Sequence, residues 1–200
     1  MGSTSWWTRA DSRVLEAVIG LGLLLVGLFG VLFPVLGVTG PLPPVDTREV
    51  RLAGAAQLPG IPGAVALRGT DHAELVFAAP GFADRLLLVL PELVGNLLLV
   101  AILSILLQVA RTFRGGDLFA PRNAPRLLAI AIALPLRGFL VPLADMVTTD
   151  LLAAGTPAEN AIRVVAEFDL TSLFLGLLVA AAAVAFRNGA RLRADTEGLV

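Results

Sequence analysis

The sequence predicts an all-α membrane protein, a four-transmembrane-helix bundle with a small extracellular β insertion between helices 1 and 2. Of the 200 residues, 56% are hydrophobic and only 16% are charged, which is more apolar than an ordinary soluble domain. Four apolar runs approach the length of about 20 residues that a helix needs to cross a bilayer. We therefore expect a single membrane domain over residues 1–200, with spans at about 14–38, 86–110, 127–147 and 168–186.

The first span contains no charged residue from Ala17 to Val38. Because the apolar run of a cleaved signal peptide is shorter, about 7 to 15 residues, we expect this segment to stay as a membrane anchor. Trp6 and Trp7 precede it. Tryptophan rings often settle among lipid headgroups, so this end of the chain is either an interfacial segment or a disordered tail.

The second and third spans carry polar and ionisable residues. Glu92 and Asn96 lie one turn apart in the second span, whereas the third span holds Arg137 near its centre and Asp145 near its end. An arginine in the middle of a span costs roughly 3 kcal/mol. The third helix alone would therefore insert only marginally.

Prolines and small residues are expected to shape the third and fourth helices. Pro135 and Pro142 should bend or loosen the third helix around its arginine. The fourth span is uncharged from Leu170 to Phe186. Its Gly176 and Ala180 are four residues apart, and small residues at this spacing let membrane helices approach closely. The fourth helix is thus predicted to pack against a neighbour.

Residues 39–85 form a long loop that we expect to be extracellular. Three short stretches, at 49–52, 65–68 and 74–77, alternate polar and apolar residues, and glycines and prolines separate them. This pattern predicts two or three short β-strands, with disorder as the competing interpretation. A sheet this small is marginal by itself, so it should lean on the helices or on another chain.

Arginines flank the spans asymmetrically. Four arginines and one acid lie between the second and third spans, and three arginines follow the fourth span, whereas the remaining short connector has one arginine and three acids. Short flanking segments rich in positive charge stay in the cytoplasm. We therefore expect a multi-pass protein of the plasma membrane with both termini in the cytoplasm.

Arg137 is expected to pair with Glu92, because their depths in the membrane differ by about 6 Å, within reach of an extended arginine. Asn96 would add a polar contact, and Asp145 would lie near the outer surface in contact with water. Three interpretations stay open. The arginine belongs to a structural ion pair, it belongs to an ion or substrate pathway that uses the carboxylate, or it simply extends to the interface.

Several chemistries lack the residues they need. The chain has no cysteine and a single histidine, His72, so it offers no disulfide, no thiolate metal site and no pair of haem-ligating histidines. Ser104 and Ser172 have no basic partner for nucleophilic catalysis, and no basic surface suits nucleic acid. We expect no enzymatic activity, no cofactor, no metal site and no nucleic-acid partner.

Two cytoplasmic segments carry a more specific pattern. The first contains Gly116, Phe119, Asn123 and Arg126, and the second contains Phe186, Gly189 and Leu192. Their combined spacing resembles the bacterial domain-of-unknown-function family 2975, from about the second span to the C-terminus. The resemblance implies a small four-helix integral membrane protein with a long first outer loop, and it assigns no catalytic residue. The chain departs from that family at Ala120 and Arg122, where threonine and an acid are usual.

The sequence therefore favours a non-enzymatic sensor, regulator or accessory subunit. Its outer loop and arginine-rich cytoplasmic edges would contact protein partners or further copies of the chain, within the lipid bilayer. The alternative is a small transporter or channel component, in which Glu92 and Arg137 line a polar route inside an oligomer. The inverted repeats common in transporters are not visible in this sequence.

Overall fold

Helices make up most of the structure. The computed structural model describes residues 4–43, 45–53, 72–114, 120–156 and 159–197. In these ranges the helices are α1 (Thr4–Leu25), α2 (Phe33–Thr39), α3 (Phe82–Arg114), α4 (Asn123–Ala153) and α5 (Leu170–Glu197), and the strands are β1 (Thr47–Arg51) and β2 (His72–Val76). The predicted combination of a mostly helical chain with a small sheet is confirmed.

Within the described residues, four helical segments are long and apolar enough to cross a membrane, judged by length and composition. They are Arg13–Thr39, Phe82–Phe113, Asn123–Ala153 and Leu170–Arg193, and each predicted span lies almost wholly within one of them. Large apolar side chains are exposed on these segments; Phe174 and Leu178 of α5 are 65% and 68% exposed. Extended apolar surface marks protein or membrane contacts, so the structure suggests a multi-pass membrane protein.

The apolar run alone suggests that the first of these segments is a uniform α-helix. The structure differs from this expectation. Between α1 and α2, the 7 residues Val26–Leu32 form a π-helical segment. The Nδ2 atom of Asn96 donates a hydrogen bond of 3.0 Å to the carbonyl of Gly30 within it. A Cβ atom at Gly30 would lie only 2.7 Å from Cγ of Asn96. The missing side chain at Gly30 thus leaves room for the Asn96 carboxamide to reach this backbone carbonyl.

The chain divides into two compact units. Unit 1 comprises Met1–Leu32, Val94–Leu140 and Phe168–Val200, and unit 2 comprises Phe33–Leu93 and Val141–Glu167. The helical contacts described next belong to unit 1. The β-hairpin belongs to unit 2.

In unit 1, α4 and α5 pack through glycines. A Cβ atom at Gly176 would lie 2.8 Å from the carbonyl oxygen of Ala131 and 2.9 Å from Cδ of Pro135. Gly138 is equally close to Ser172, where a Cβ atom would lie 2.7 Å from Cβ of the serine. The close packing predicted for Gly176 is confirmed.

Pro135 does not interrupt α4, which is helical over Asn123–Ala153. Proline has no N–H, so it leaves the carbonyl four residues earlier without its helical partner. That carbonyl belongs to Ala131, and it is the atom nearest to the Cβ position of Gly176. The proline that was expected to bend or loosen this helix therefore lies at one of the close contacts between α4 and α5.

In unit 2, β1 and β2 pair antiparallel, with Val50 opposite Ala73. Val50 is buried in a small apolar cluster with Ala153 of α4 and Ile162, as expected for a sheet too small to stand alone. Leu52 forms an isolated bridge with Ile162. The strands predicted at 49–52 and 74–77 are confirmed with earlier starts, and the one predicted at 65–68 lies outside the described residues.

Asp169 caps α5 and fixes where this helix begins. The backbone N–H of Thr171 donates a hydrogen bond of 2.8 Å to Oδ1 of Asp169, the arrangement of an N-cap. Hydrogen bonds from Thr171 hold the pKa of Asp169 below its usual range. The helix therefore begins at Leu170, two residues later than the predicted span.

Candidate functional site

A cluster of charged side chains in unit 2 centres on Arg48 of β1. Its Nη2 atom lies 3.0 Å from Oδ1 of Asp145, and its Nη1 atom donates a hydrogen bond of 2.7 Å to Oγ1 of Thr148. Both partners belong to α4. The Arg48 side chain is 8% exposed, whereas that of Asp145 is 51% exposed. The pair joins a buried cation of the hairpin to an acid that is half exposed.

Burial and nearby carboxylates act on Arg48 in opposite directions. Burial lowers the pKa of Arg48, while the negative charges of Asp145 and Glu92 raise that pKa. An arginine in a protein stays protonated throughout. The site therefore holds a permanent positive charge, and Glu92 of α3 helps to neutralise it.

Two further polar side-chain pairs lie around the hairpin. Arg51 binds Glu167 through both guanidinium Nη atoms, with Nη2 2.7 Å from Oε2, and Nδ1 of His72 lies 2.8 Å from Oε1 of Glu49 on the opposite strand. All four side chains are at least 40% exposed. Ion pairs this exposed contribute little to stability. Neither pair is expected to contribute much to the attachment of the hairpin.

Two open cavities flank the Arg48–Asp145 pair. One has a volume of about 350 Å³ and the other of about 320 Å³, and Glu49, Val141 and Asp145 line both. Cavities of this size can hold small ligands. Among the described residues, no group of three or more histidine, aspartate or glutamate side chains is placed to hold a metal ion. The arrangement can recognise a small polar ligand or a protein side chain through its mixed charges.

Arg137, the arginine singled out in the sequence, lies in unit 1. Its Nε atom donates a hydrogen bond of 3.2 Å to the backbone carbonyl of Gly95 on α3. Asn96 was expected to support Arg137, but it donates to Gly30 instead. Arg137 thus binds a backbone carbonyl of the neighbouring helix within its unit.

Glu92 and Asp145 both lie in unit 2, where their charges act on Arg48. Asp145 is half exposed, and its contact with water near the outer surface stays a prediction. Glu92 is also exposed. Its pairing with Arg137 stays a prediction, because the two residues belong to different units.

The sequence analysis missed Arg48, although a signal for it was present. Side chains two residues apart on a strand point to the same face of a sheet. Val50 is 6% exposed and lies two residues after Arg48 in β1, although the predicted strand begins only at residue 49. Alternation therefore places Arg48 on the buried face, where a cation needs an acid partner.

Two of the motif residues meet at the C-terminal end of α3. Asn123 is fully buried, with 0% exposure, and its Nδ2 atom donates a hydrogen bond of 2.7 Å to Oγ1 of Thr112. Arg126 reaches the carbonyl of Gln108 at 3.4 Å. These contacts connect the start of α4 to the end of α3.

The C-terminal motif contributes to the same region of α3. Phe186 of α5 stacks on Phe113, with ring centroids 6.1 Å apart. The other motif residues are Gly116 and Phe119, which lie outside the described residues, and Gly189 and Leu192, which lie on α5.

Replacing Asn123 by alanine should lower the free energy of unfolding by about 1–3 kcal/mol, because a buried hydrogen bond is lost. Thermal unfolding in detergent measures the change. Asn188→Ala, at an exposed position of α5, is the matched control and should have little effect. Equal effects of the two substitutions would contradict a structural role for Asn123.

No protein-family model, curated protein or solved structure matches this chain. The fold by itself defines the class at a coarse level. Four helices able to span a membrane and a two-stranded sheet suggest a multi-pass membrane protein.

Proposed function

We propose that the chain is a non-enzymatic protein of the plasma membrane that acts as a sensor, regulator or accessory subunit through protein partners. In this proposal the four helices form a bundle across the bilayer, both termini lie in the cytoplasm, and the hairpin of unit 2 faces outward. The observation that carries the proposal is the Arg48–Asp145 pair. It connects a small exposed sheet to a helix of membrane character.

The hairpin is suited to report the binding of a partner. A two-stranded sheet is marginal by itself, and this one is attached to α4 by a small apolar cluster and by Arg48. The Asp145 side chain is 51% exposed, so a basic side chain of a partner can compete with Arg48 for it. Such competition would change how the hairpin packs against α4. Binding of a partner at the hairpin would therefore alter the contacts of that helix.

The contacts of Asn123, Arg126 and Phe186 support membership of family 2975, which we propose on this ground. All three motif residues contact the last turns of α3. A shared structural role at the end of α3 would explain why these three residues belong to one sequence pattern. That family carries no assigned activity, so its contribution to the proposal is architectural.

Single introduced thiols test the proposal, because the chain contains no cysteine. Val76→Cys on β2 should react with a membrane-impermeant maleimide in intact cells, and Asn188→Cys on α5 should react only after permeabilisation. Both positions are exposed, so a difference in labelling reports the side of the membrane. A photo-crosslinker on the same thiols should give protein adducts, and Arg48→Met should weaken the adduct at position 76.

Reversed labelling would overturn the orientation, and adducts with lipid alone at both positions would overturn the partner role. Glu92 favours the alternative, a transporter or channel component, since this exposed carboxylate lines the cavity of about 320 Å³ together with Arg48. Flux through vesicles that disappears in Glu92→Gln, with unchanged unfolding stability, would establish the alternative. Absence of flux in the wild-type protein would support the partner role.

A further inference from the structure

An apolar groove lies between the start of α4 and the end of α5 in unit 1. Its volume is about 580 Å³, against about 350 Å³ and 320 Å³ for the two cavities of unit 2. Ala124 and Leu128 line it on α4, and Ala180, Ala183 and Val184 line it on α5. Small side chains on both helices leave the space between them open.

One end of this groove is positively charged. Gly138 of α4 lies against Ser172 of α5, and Ala131 lies against Gly176, so α5 runs antiparallel to α4 and brings its last turns to the start of α4. Arg187 and Arg191 line the groove there, and residues four apart on a helix share a face. Both arginines are exposed, and none of the ion pairs within the described residues involves them.

The first turn of α4 adds to this charge. Pro121 and Ala124 border the groove, and the unpaired N–H groups at the start of a helix carry a partial positive charge. The groove is therefore apolar along its length and attracts an anion at one end.

The length of the groove fits one leaflet of a bilayer. Ala180 and Arg191 both line it, and the stretch of α5 between them spans about 16 Å at 1.5 Å per residue. Half of the hydrocarbon core is about 15 Å thick. An acyl chain that follows the groove would therefore bring its headgroup to the level of the arginines.

We propose that this groove binds one anionic phospholipid, with an acyl chain along the alanine-lined floor and the phosphate between Arg187 and Arg191. The proposal rests on the helices crossing a membrane, as the proposed function does. Charge complementarity selects the occupant. An apolar helix would leave two cations unpaired at the edge, and a zwitterionic lipid would bring a cation of its own beside them.

Lipid binding to the full-length protein tests this proposal, with phosphatidylglycerol and phosphatidylcholine as the probes and native mass spectrometry as the measurement. We expect phosphatidylglycerol to bind more tightly. The double variant Arg187→Gln/Arg191→Gln should weaken phosphatidylglycerol binding by about 10- to 30-fold, as expected for two arginines at a lipid surface. Binding of phosphatidylcholine should hardly change.

A charge-matched control separates the groove from general attraction to an anionic surface. Arg13→Gln/Arg122→Gln also removes two exposed arginines, neither of which lines the groove, and should keep the lipid preference. Ala180→Leu fills the floor without changing charge and should weaken both lipids. Equal loss of preference in the two double variants would overturn the proposal.

Two other occupants are distinguished by the same samples. Strong competition by glycerol phosphate would indicate a site for a free phosphate anion, and a dimer that disappears in Ala180→Leu would indicate a second copy of the chain. Either result would overturn the lipid assignment. Thiol labelling tests membrane placement separately, so correct labelling without lipid preference would reject the groove proposal alone.

Discussion

Replacing Asp145 by asparagine is expected to lower the free energy of unfolding by about 2–4 kcal/mol, since it leaves the buried cation of Arg48 without its nearest acid. Asparagine keeps an oxygen that can accept from the guanidinium, so the substitution isolates the charge. Arg48→Met should cost less, about 1–2 kcal/mol, because the Asp145 carboxylate that it leaves behind is 51% exposed and can be solvated. Unfolding in detergent by heat or denaturant measures both.

Arg51→Met provides the matched control on the same strand. The side chains of Arg51 and Glu167 are 40% and 60% exposed, and exposed pairs are worth about 0–1 kcal/mol. The double variant Arg48→Met/Asp145→Asn should lose less stability than the sum of its two single variants. A larger loss of unfolding free energy in Arg48→Met than in Asp145→Asn would contradict the structure, in which the Arg48 side chain is buried and the Asp145 side chain is half exposed.

Replacing Gly176 by alanine is expected to destabilise the protein by about 1–3 kcal/mol, as overpacking does in a dense interior. The added methyl group would lie 2.8 Å from the Ala131 carbonyl oxygen and 2.9 Å from Cδ of Pro135. A backbone oxygen and a proline ring cannot rotate away, so the two helices must separate. The loss should appear as a lower midpoint of thermal unfolding in detergent.

Gly22→Ala is the control for this substitution, because no atom lies within 4 Å of the Cβ position at Gly22. Alanine favours a helix over glycine by about 1 kcal/mol, so this control should leave stability unchanged or raise it. Unchanged stability in Gly176→Ala would show that the contact between α4 and α5 is looser than the structure describes.

The apolar segments could be predicted well because their signal is local. Each span is a run of neighbouring residues, and length and hydropathy alone define it. The exact ends of the helices were harder to predict. Asp169 fixes the start of α5 through a single hydrogen bond to Thr171. The π-helical segment Val26–Leu32 could not be recognised in the sequence, because it lies within an uninterrupted apolar run.

The charged site was only partly predictable. Glu92 and Asp145 were identified as costly charges within apolar segments, and the negative charges of both raise the pKa of Arg48. The sequence analysis predicted that Glu92 pairs with Arg137, the cation in the middle of an apolar segment. It overlooked Arg48, because that residue lies in a loop with ordinary loop composition. Arg137 itself was expected to need an acid, whereas within its unit it binds the carbonyl of Gly95.

The order of apolar and polar residues alone determined that this chain is mostly helical, with four helices able to cross a membrane and a small sheet between the first two. Only the tertiary structure decided which polar groups meet. Arg48 and Thr148 are 100 residues apart in the chain, and neither hydropathy nor spacing carries information on a contact at that distance. Burial of the guanidinium beside Asp145 depends on how the hairpin packs against α4.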